Sequence, residues 1–192
     1  MARWEGNTRG RLERAALDLF REQGYDRTTV AQIAKRANLT ERSFYRWYAD
    51  KREALFGGGE DLEKEFLAAI AAVPAGTPPL PALLTAFEAA PKVIRPRAFL
   101  EERAAVIAAN PPLRERELIK LAALSEALTA ALVERGCDRR TARLATDAGM
   151  AVLRLATERW VAADQQGDFP ALLRSGAEEL LAVAITAEGG AG

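Results

Sequence analysis

The sequence lacks the residues on which much of enzyme chemistry depends. It has no histidine and only one cysteine, Cys137, so it can form neither a Ser-His nor a Cys-His catalytic pair. A single cysteine also excludes an internal disulfide bond and gives weak support for a reducing compartment. The sequence contains no glycine-rich nucleotide loop and no cluster of metal ligands. We therefore expect a protein that is not an enzyme and has no cofactor.

Long hydrophobic runs are missing as well. No window of about 18 residues is both apolar and free of charge, so we expect no membrane-spanning segment. Arg3, Glu5 and Arg9 place charge in the first ten residues with no apolar stretch behind them, which is untypical of a secretory signal. These features favour a cytoplasmic protein.

The chain as a whole has no excess of charge of one sign, because 27 basic and 27 acidic residues balance. The charge is unevenly distributed, however. Residues 1–56 hold 12 Lys and Arg against 8 Asp and Glu, a net charge of +4, and the rest of the chain carries −4. A basic N-terminal part on an acidic body is typical of a protein that brings one end to a polyanion.

What the chain does contain is a series of helical patterns, with almost no strand-like alternation. In the first pattern, apolar residues recur at intervals of three and four, and Gly24 is placed to end that helix. Later patterns are longer: one ends at Gly136, the next begins after Asp138 and reaches about Gln166, and the last begins after Asp168. The sequence predicts an all-α fold of about nine helices.

Between residues 28 and 55 the helices are short and closely spaced. Thr29 forms a capping box with Gln32 for a second helix, and Thr40 can cap a third. Asn38 lies in the tight connection between them, where it tolerates a positive φ. Asp50 predicts the start of a fourth helix at Lys51. Such short connections make neighbouring helices cross steeply, as in a helix-turn-helix.

The third helix has two different faces. Across the second helix, the turn and the third helix, the small or apolar residues are expected to point inward: Val30, Ile33, Ala34, Ala37, Leu39 and Phe44. The outer face then carries Glu41, Arg42, Ser43, Tyr45, Arg46 and Trp47. In a helix-turn-helix the second helix of the pair enters the major groove of DNA, so these outer residues are candidates for DNA contact.

This segment resembles the DNA-binding head of the TetR family of bacterial repressors over about 45 residues. The matching features are Ile33-Ala34 in the second helix, Ala37 before the turn, the aromatic pair Phe44-Tyr45, and Tyr48 and Lys51. The resemblance implies an N-terminal three-helix helix-turn-helix domain, residues 1–56. A helical ligand-binding and dimerisation domain, residues 57–192, is expected to follow.

The resemblance also implies roles for individual residues. Thr29, Thr40, Tyr48 and Lys51 would bind DNA phosphates, and Arg42, Ser43, Tyr45 and Arg46 would face base edges or the flanking backbone. Further candidates for phosphate or minor-groove contacts are Arg3, Arg9 and Arg11. Arg42 stands where the family often has glycine, and Trp47 where it often has histidine, so no base preference can be transferred from relatives.

Small residues in the last two helices allow two interpretations: Ala145, Ala148, Gly149, Ala156, Gly176 and Ala177. They could pack within one subunit, or they could form the four-helix bundle that the resemblance implies between two subunits. A second open question concerns Gly57–Gly59, which could be a hinge or a tolerated weak point in a helix.

Together these features predict a ligand-responsive repressor that binds a palindromic operator in double-stranded DNA as a homodimer. The homodimer would form through the last two helices, and the body would accommodate a small-molecule effector. The alternative is a helical protein-interaction module that does not bind DNA.

Overall fold

The computed structural model describes residues 8–162 and 168–186 and confirms the all-α prediction. These residues form nine α-helices: α1 (Thr8–Gln23), α2 (Val30–Arg36), α3 (Glu41–Tyr45), α4 (Gly59–Ala72), α5 (Pro79–Phe87), α6 (Arg97–Ala109), α7 (Pro111–Glu134), α8 (Arg139–Ala162) and α9 (Phe169–Thr186). Two short 3-10 turns lie at Glu53–Leu55 and Ala90–Lys92. None of the described helices is long and apolar enough to cross a membrane.

The turn between α2 and α3 follows from one residue with a left-handed backbone. Asn38 has a φ of +55°. In that conformation the Leu39 amide donates to the Ala34 carbonyl at 2.8 Å, and the Asn38 amide donates to the Lys35 carbonyl at 3.0 Å. This pair of bonds is a Schellman motif, which satisfies carbonyls at the end of α2 and reverses the chain within three residues.

The fourth helix begins at Gly59, so the predicted start at Lys51 was wrong. Asp50 does cap a turn, because its Oδ1 accepts the amides of Arg52 and Glu53. That turn ends at Leu55, however, whose carbonyl accepts from Arg103 Nε at 2.7 Å. The Gly59 amide donates instead to Phe56. Gly57, Gly58 and Gly59 would also weaken a helix that continued through them, by about 1 kcal/mol each.

The long C-terminal helices begin and end at the residues that the sequence indicates. Gly136 has a φ of +92°, and the Cys137 amide donates to the Leu132 carbonyl, which ends α7 in a second Schellman motif. Asp138 caps α8 by accepting from the Thr141 amide at 3.0 Å. The predicted extension of α8 to about residue 166 falls partly outside the described residues.

The chain folds into two compact units. The first consists of the residues up to Asp61 together with Arg95–Leu121, and the second of Leu62–Ile94 together with the residues from Ala122 onward. Each unit has its own hydrophobic core. The first unit therefore contains α6 and part of α7 in addition to α1–α3, because α1 packs on α6. The functional boundary expected near residue 56 stays a prediction.

Close helix packing explains two of the small residues in α8 and α9. A Cβ on Gly149 would lie 3.3 Å from both Leu83 and Phe87 of α5, and one on Gly176 would lie 3.2 Å from Val152 of α8. Ala156 is fully buried in the same core. These residues allow close packing inside the second unit.

The left-handed turn gives a test of the helix-turn-helix geometry. We expect Asn38→Val to lower the free energy of unfolding by about 1–2 kcal/mol, since a β-branched residue is strained at positive φ. Asn38→Gly should be at least as stable as the parent, because glycine adopts this conformation freely. Urea denaturation of both variants measures the difference, and equal losses would contradict the assignment of the turn.

Candidate nucleic-acid interface

The α3 helix has a buried side and an exposed side, as the sequence predicts. Phe44 is fully buried, whereas Tyr45 is 56% exposed. Arg42 and Arg46 are also exposed. Within the described part of the chain, neither arginine forms a side-chain hydrogen bond or an ion pair. The guanidinium groups of Arg42 and Arg46 and the phenol of Tyr45 are thus all exposed to solvent within one five-residue helix and its C-cap.

Apolar packing fixes the direction of this helix. Ile33 and Ala34 of α2 are buried in the same core as Phe44, and α1 contributes Leu12 and Phe20. The Phe44 ring lies 5.5 Å from the Tyr48 ring and 5.6 Å from the Tyr45 ring. A five-residue helix is not stable in isolation, so its orientation depends on these contacts.

The predicted caps of α2 and α3 are confirmed. The Thr29 hydroxyl oxygen accepts from the backbone N–H of Gln32, and the Gln32 side-chain oxygen accepts from the backbone N–H of Thr29. These two bonds complete the capping box. Thr40 accepts from the Ser43 amide at 3.1 Å, and its hydroxyl lies 3.0 Å from the Ser43 hydroxyl. Thr29 and Thr40 are exposed, so the start of each helix is open to solvent.

Lys51 lies in a different environment from the one that the sequence analysis assumed. Its Nζ donates to the carbonyls of Tyr25 at 2.7 Å, Thr28 at 2.9 Å and Asp26 at 3.4 Å. The ammonium also lies 4.2 Å from the centre of the Tyr25 ring. Three carbonyls match the three hydrogens of an ammonium group. Lys51 therefore holds the loop between α1 and α2, and its expected phosphate contact stays a prediction.

Tyr48 is buried rather than exposed. It is 5% exposed, and its hydroxyl donates to Glu13 Oε1 at 3.0 Å. Burial, together with the adjacent carboxylate, raises the pKa of the Tyr48 hydroxyl above its usual range. The hydroxyl is engaged inside the first unit, and its expected phosphate contact stays a prediction.

Two residues of this buried cluster were missed by sequence reasoning. Glu13 is 2% exposed, and Arg95 forms two hydrogen bonds with its carboxylate. Glu13 could have been found, because it shares the apolar face of α1 with Leu17 and Phe20 at helical spacing. Arg95 could not, because it lies 82 residues away along the chain.

The remaining N-terminal arginines differ in their surroundings. Arg9 is largely buried and contacts Asp61 at 3.2 Å. Arg11 is exposed on α1. Arg3 lies outside the described residues. Of the eight predicted site residues, the structure brings six to exposed or half-exposed positions on and around α2 and α3, as follows: Thr29, Thr40, Arg42, Ser43, Tyr45 and Arg46. Among the residues described, no group of three or more His, Cys, Asp or Glu is placed to hold a metal ion.

Comparison with known proteins supports a helix-turn-helix in the N-terminal part of the chain. Residues 13–56 match the family of bacterial regulatory proteins described as the tetR family. Over 82 residues the chain is 44% identical to the HTH-type transcriptional regulator TcmR of Streptomyces glaucescens, a match that covers 43% of this chain and 36% of TcmR. The chain thus matches little more than a third of the length of that relative.

Solved structures resemble the chain over most of its length. The TetR family repressor FadR of Thermus thermophilus, solved with lauroyl-CoA, has a TM-score of 0.52 and 26% identity, covering 90% of this chain and 93% of FadR. The fatty acid degradation regulator FadR of Bacillus halodurans has a TM-score of 0.54 and 21% identity, covering 92% and 95%. The second likeness shows the fold alone.

The position of Lys51 gives a test of its role in the head. We expect Lys51→Met to lower the free energy of unfolding by about 1–3 kcal/mol, because the loop carbonyls lose a charged donor. Lys35→Met is the matched control, since Lys35 is exposed and has no ion pair among the described residues. Thermal and urea denaturation measure both. Equal stability of the two variants would show that the ammonium does not hold the loop.

Proposed function

We propose, on the premise that the chain belongs to the tetR family of bacterial regulatory proteins, that it is a ligand-responsive transcriptional repressor acting in the cytoplasm. It binds a palindromic operator in double-stranded DNA as a homodimer. The observation that carries the proposal is the exposed edge of α3. There Arg42 and Arg46 flank Tyr45 with no partner among the described residues, on a helix whose opposite side is buried.

The residues of this edge divide into two kinds of DNA contact. Arg42 and Arg46 read base edges, and a guanidinium that is bidentate to guanine discriminates by about 1–3 kcal/mol against the wrong base. Tyr45 and Ser43 contact bases or the adjacent backbone. Thr29 and Thr40, together with the amides beside them, bind phosphates and set the register of the head on the duplex. Tyr48 and Lys51 hold the head together from inside.

Dimer formation is expected because α3, here called the reading helix, is only five residues long. One helix of five residues buries too little surface to be specific, whereas two of them about 34–36 Å apart would read successive major grooves. Leu144 on α8 is 71% exposed, and Leu181 and Val183 on α9 are 55% and 73% exposed. These apolar side chains support pairing of α8 and α9 with a second copy. The buried small residues of the two helices serve packing within the subunit.

A small-molecule effector would act through the body of the protein. The Thermus thermophilus FadR structure contains lauroyl-CoA, and its likeness to this chain extends over the helices beyond the head. We infer that an effector favours a body conformation in which the two heads no longer match successive grooves, so that operator affinity falls. The chemistry is binding rather than catalysis.

The exposed arginine gives the main test. We expect Arg46→Ala to lower affinity for an operator selected from a random duplex pool by about tenfold or more, with the oligomeric state unchanged. Tyr45→Ala should behave in the same way. Arg114→Ala is the control, because it removes the same charge from an exposed position on α7. Fluorescence anisotropy measures affinity and light scattering measures mass. Unchanged affinity of both variants would remove the site assignment.

Salt dependence separates DNA binding from the alternative, a protein-interaction module. Contacts to phosphates release counterions, so the logarithm of the affinity should fall linearly with the logarithm of the salt concentration. Arg46→Ala should leave that slope nearly unchanged, because Arg46 is proposed to read a base edge and not to contact a phosphate. A parent protein that binds no duplex at low salt would refute the proposed function.

Two leucines of similar exposure test the dimer. We expect Leu144→Asp to shift the protein towards monomer, because the substitution places a carboxylate in an apolar contact. Leu118→Asp on α7 is the control, since Leu118 is 68% exposed but lies outside α8 and α9. Sedimentation velocity at several concentrations distinguishes them. A Leu144→Asp protein with the parent's mass would exclude this face from the interface.

A further inference from the structure

The most deeply buried acidic group of the first unit is Glu13, and DNA contact gives it no role. Its Oε2 accepts from Arg95 Nε at 2.7 Å, and its Oε1 accepts from Arg95 Nη2 at 2.9 Å. Oε1 also accepts from the Tyr48 hydroxyl, and Arg9 Nε lies 3.7 Å away. A carboxylate that is 2% exposed depends on such partners, because an unpaired charge at this depth is strongly unfavourable.

The cluster is connected to the reading helix by direct contacts. Tyr48 follows α3 by three residues, its amide donates to the Phe44 carbonyl at 3.0 Å, and the two rings pack together. Phe44 is the buried residue of α3. Tyr48 thus connects the Glu13 carboxylate to the C-terminal end of α3 through its hydroxyl, its ring and its backbone amide.

A side chain at position 57 would meet the cluster directly. A Cβ on Gly57 would lie 2.5 Å from the Tyr48 hydroxyl and 2.6 Å from Glu13 Oε1, closer than real contacts allow. Gly57 is thus required by a close approach of side chains, and it does not have a positive φ. Gly59 differs, since a Cβ there would meet nothing within 4 Å.

Arg95 also has a particular place in the chain. It is the first residue of the segment Arg95–Leu121, which belongs to the first unit, and the residue before it, Ile94, belongs to the second. The Arg95 side chain thus bonds to Glu13 from the first residue of that segment.

We propose that Arg95 and Glu13 are positioning residues for DNA binding, which set the orientation of α3 through Tyr48. This inference rests on the proposed function for its DNA readout. It adds that operator affinity depends on Arg95, which belongs neither to α3 nor to the outer face of the head. Without the guanidinium, the buried Glu13 carboxylate loses two hydrogen bonds and is expected to shift towards water or towards Arg9, which changes its bond to Tyr48.

The first experiment compares two arginines that pair with acidic residues. We expect Arg95→Met to lower affinity for the selected operator duplex at least tenfold at a temperature where the protein is fully folded. Arg14→Met is the matched control, because Arg14 on α1 also pairs with acidic residues of α1 and α6, Asp18 and Glu102, but forms no bond with Glu13 among the described residues. It should lose stability yet keep operator affinity within twofold.

Two further variants test the cluster without removing a charge. Gly57→Ala should displace Tyr48 and Glu13 and lower affinity as Arg95→Met does, whereas Gly59→Ala should not. Tyr48→Phe removes only the hydroxyl and should lower affinity several-fold. Because these changes are small, they keep the test decisive if Arg95→Met fails to fold.

A spectroscopic readout follows α3 without DNA. In protein labelled with 5-fluorotryptophan, the Trp47 signal, identified by Trp47→Phe, should shift in Arg95→Met and Gly57→Ala and stay in place in Arg14→Met and Gly59→Ala. Parent-like affinity and an unmoved Trp47 signal in the folded cluster variants would overturn the proposal. A parent that binds no duplex would overturn the proposed function instead, and the Trp47 signal would still decide whether Arg95 positions α3.

Discussion

The burial of one aromatic ring determines most of what the head of this protein can do. The reading helix α3 is only five residues long, so hydrogen bonds within it cannot hold it in one orientation. Phe44 supplies the missing restraint by packing into the core formed by α1 and α2. Every exposed residue of α3 takes its direction from that contact, and so does the separation between the guanidinium groups of Arg42 and Arg46. Tyr48 then connects the same ring to the buried ion pair of Glu13 and Arg95.

Local sequence was sufficient to predict the elements that short-range bonds define. The caps at Thr29, Thr40 and Asp138 and the left-handed residue Asn38 involve partners within five residues, so their patterns can be read directly from the chain. The inward position of Phe44 followed in the same way, from the spacing of apolar residues.

The errors arose where a distant partner decides the outcome. A fourth helix beginning at Lys51 was reasonable from Asp50, but Arg103, 48 residues later, takes the Leu55 carbonyl. The phosphate contacts that the resemblance implies for Tyr48 and Lys51 stay predictions. The partners of these side chains in the structure, Glu13 and the loop carbonyls of Tyr25 and Thr28, could not be predicted from local sequence. In α8 and α9 the sequence left open whether the small residues pack within one subunit or between two, and only the positions of Leu83, Phe87 and Val152 show that Gly149 and Gly176 serve contacts inside the unit.

The unpaired state of Arg42 and Arg46 has a consequence for the speed of recognition. Many surface arginines of this chain hold a carboxylate, as Arg36 holds Glu22, and such a pair must open before the guanidinium can engage a new anion. Arg42 and the C-cap residue Arg46 have no such pair to open in the part of the chain that the structure describes. On the proposed function, the association rate with DNA would then be set by diffusion and by the electrostatic field of the head. The lifetime of the complex would depend on how well the head fits the groove.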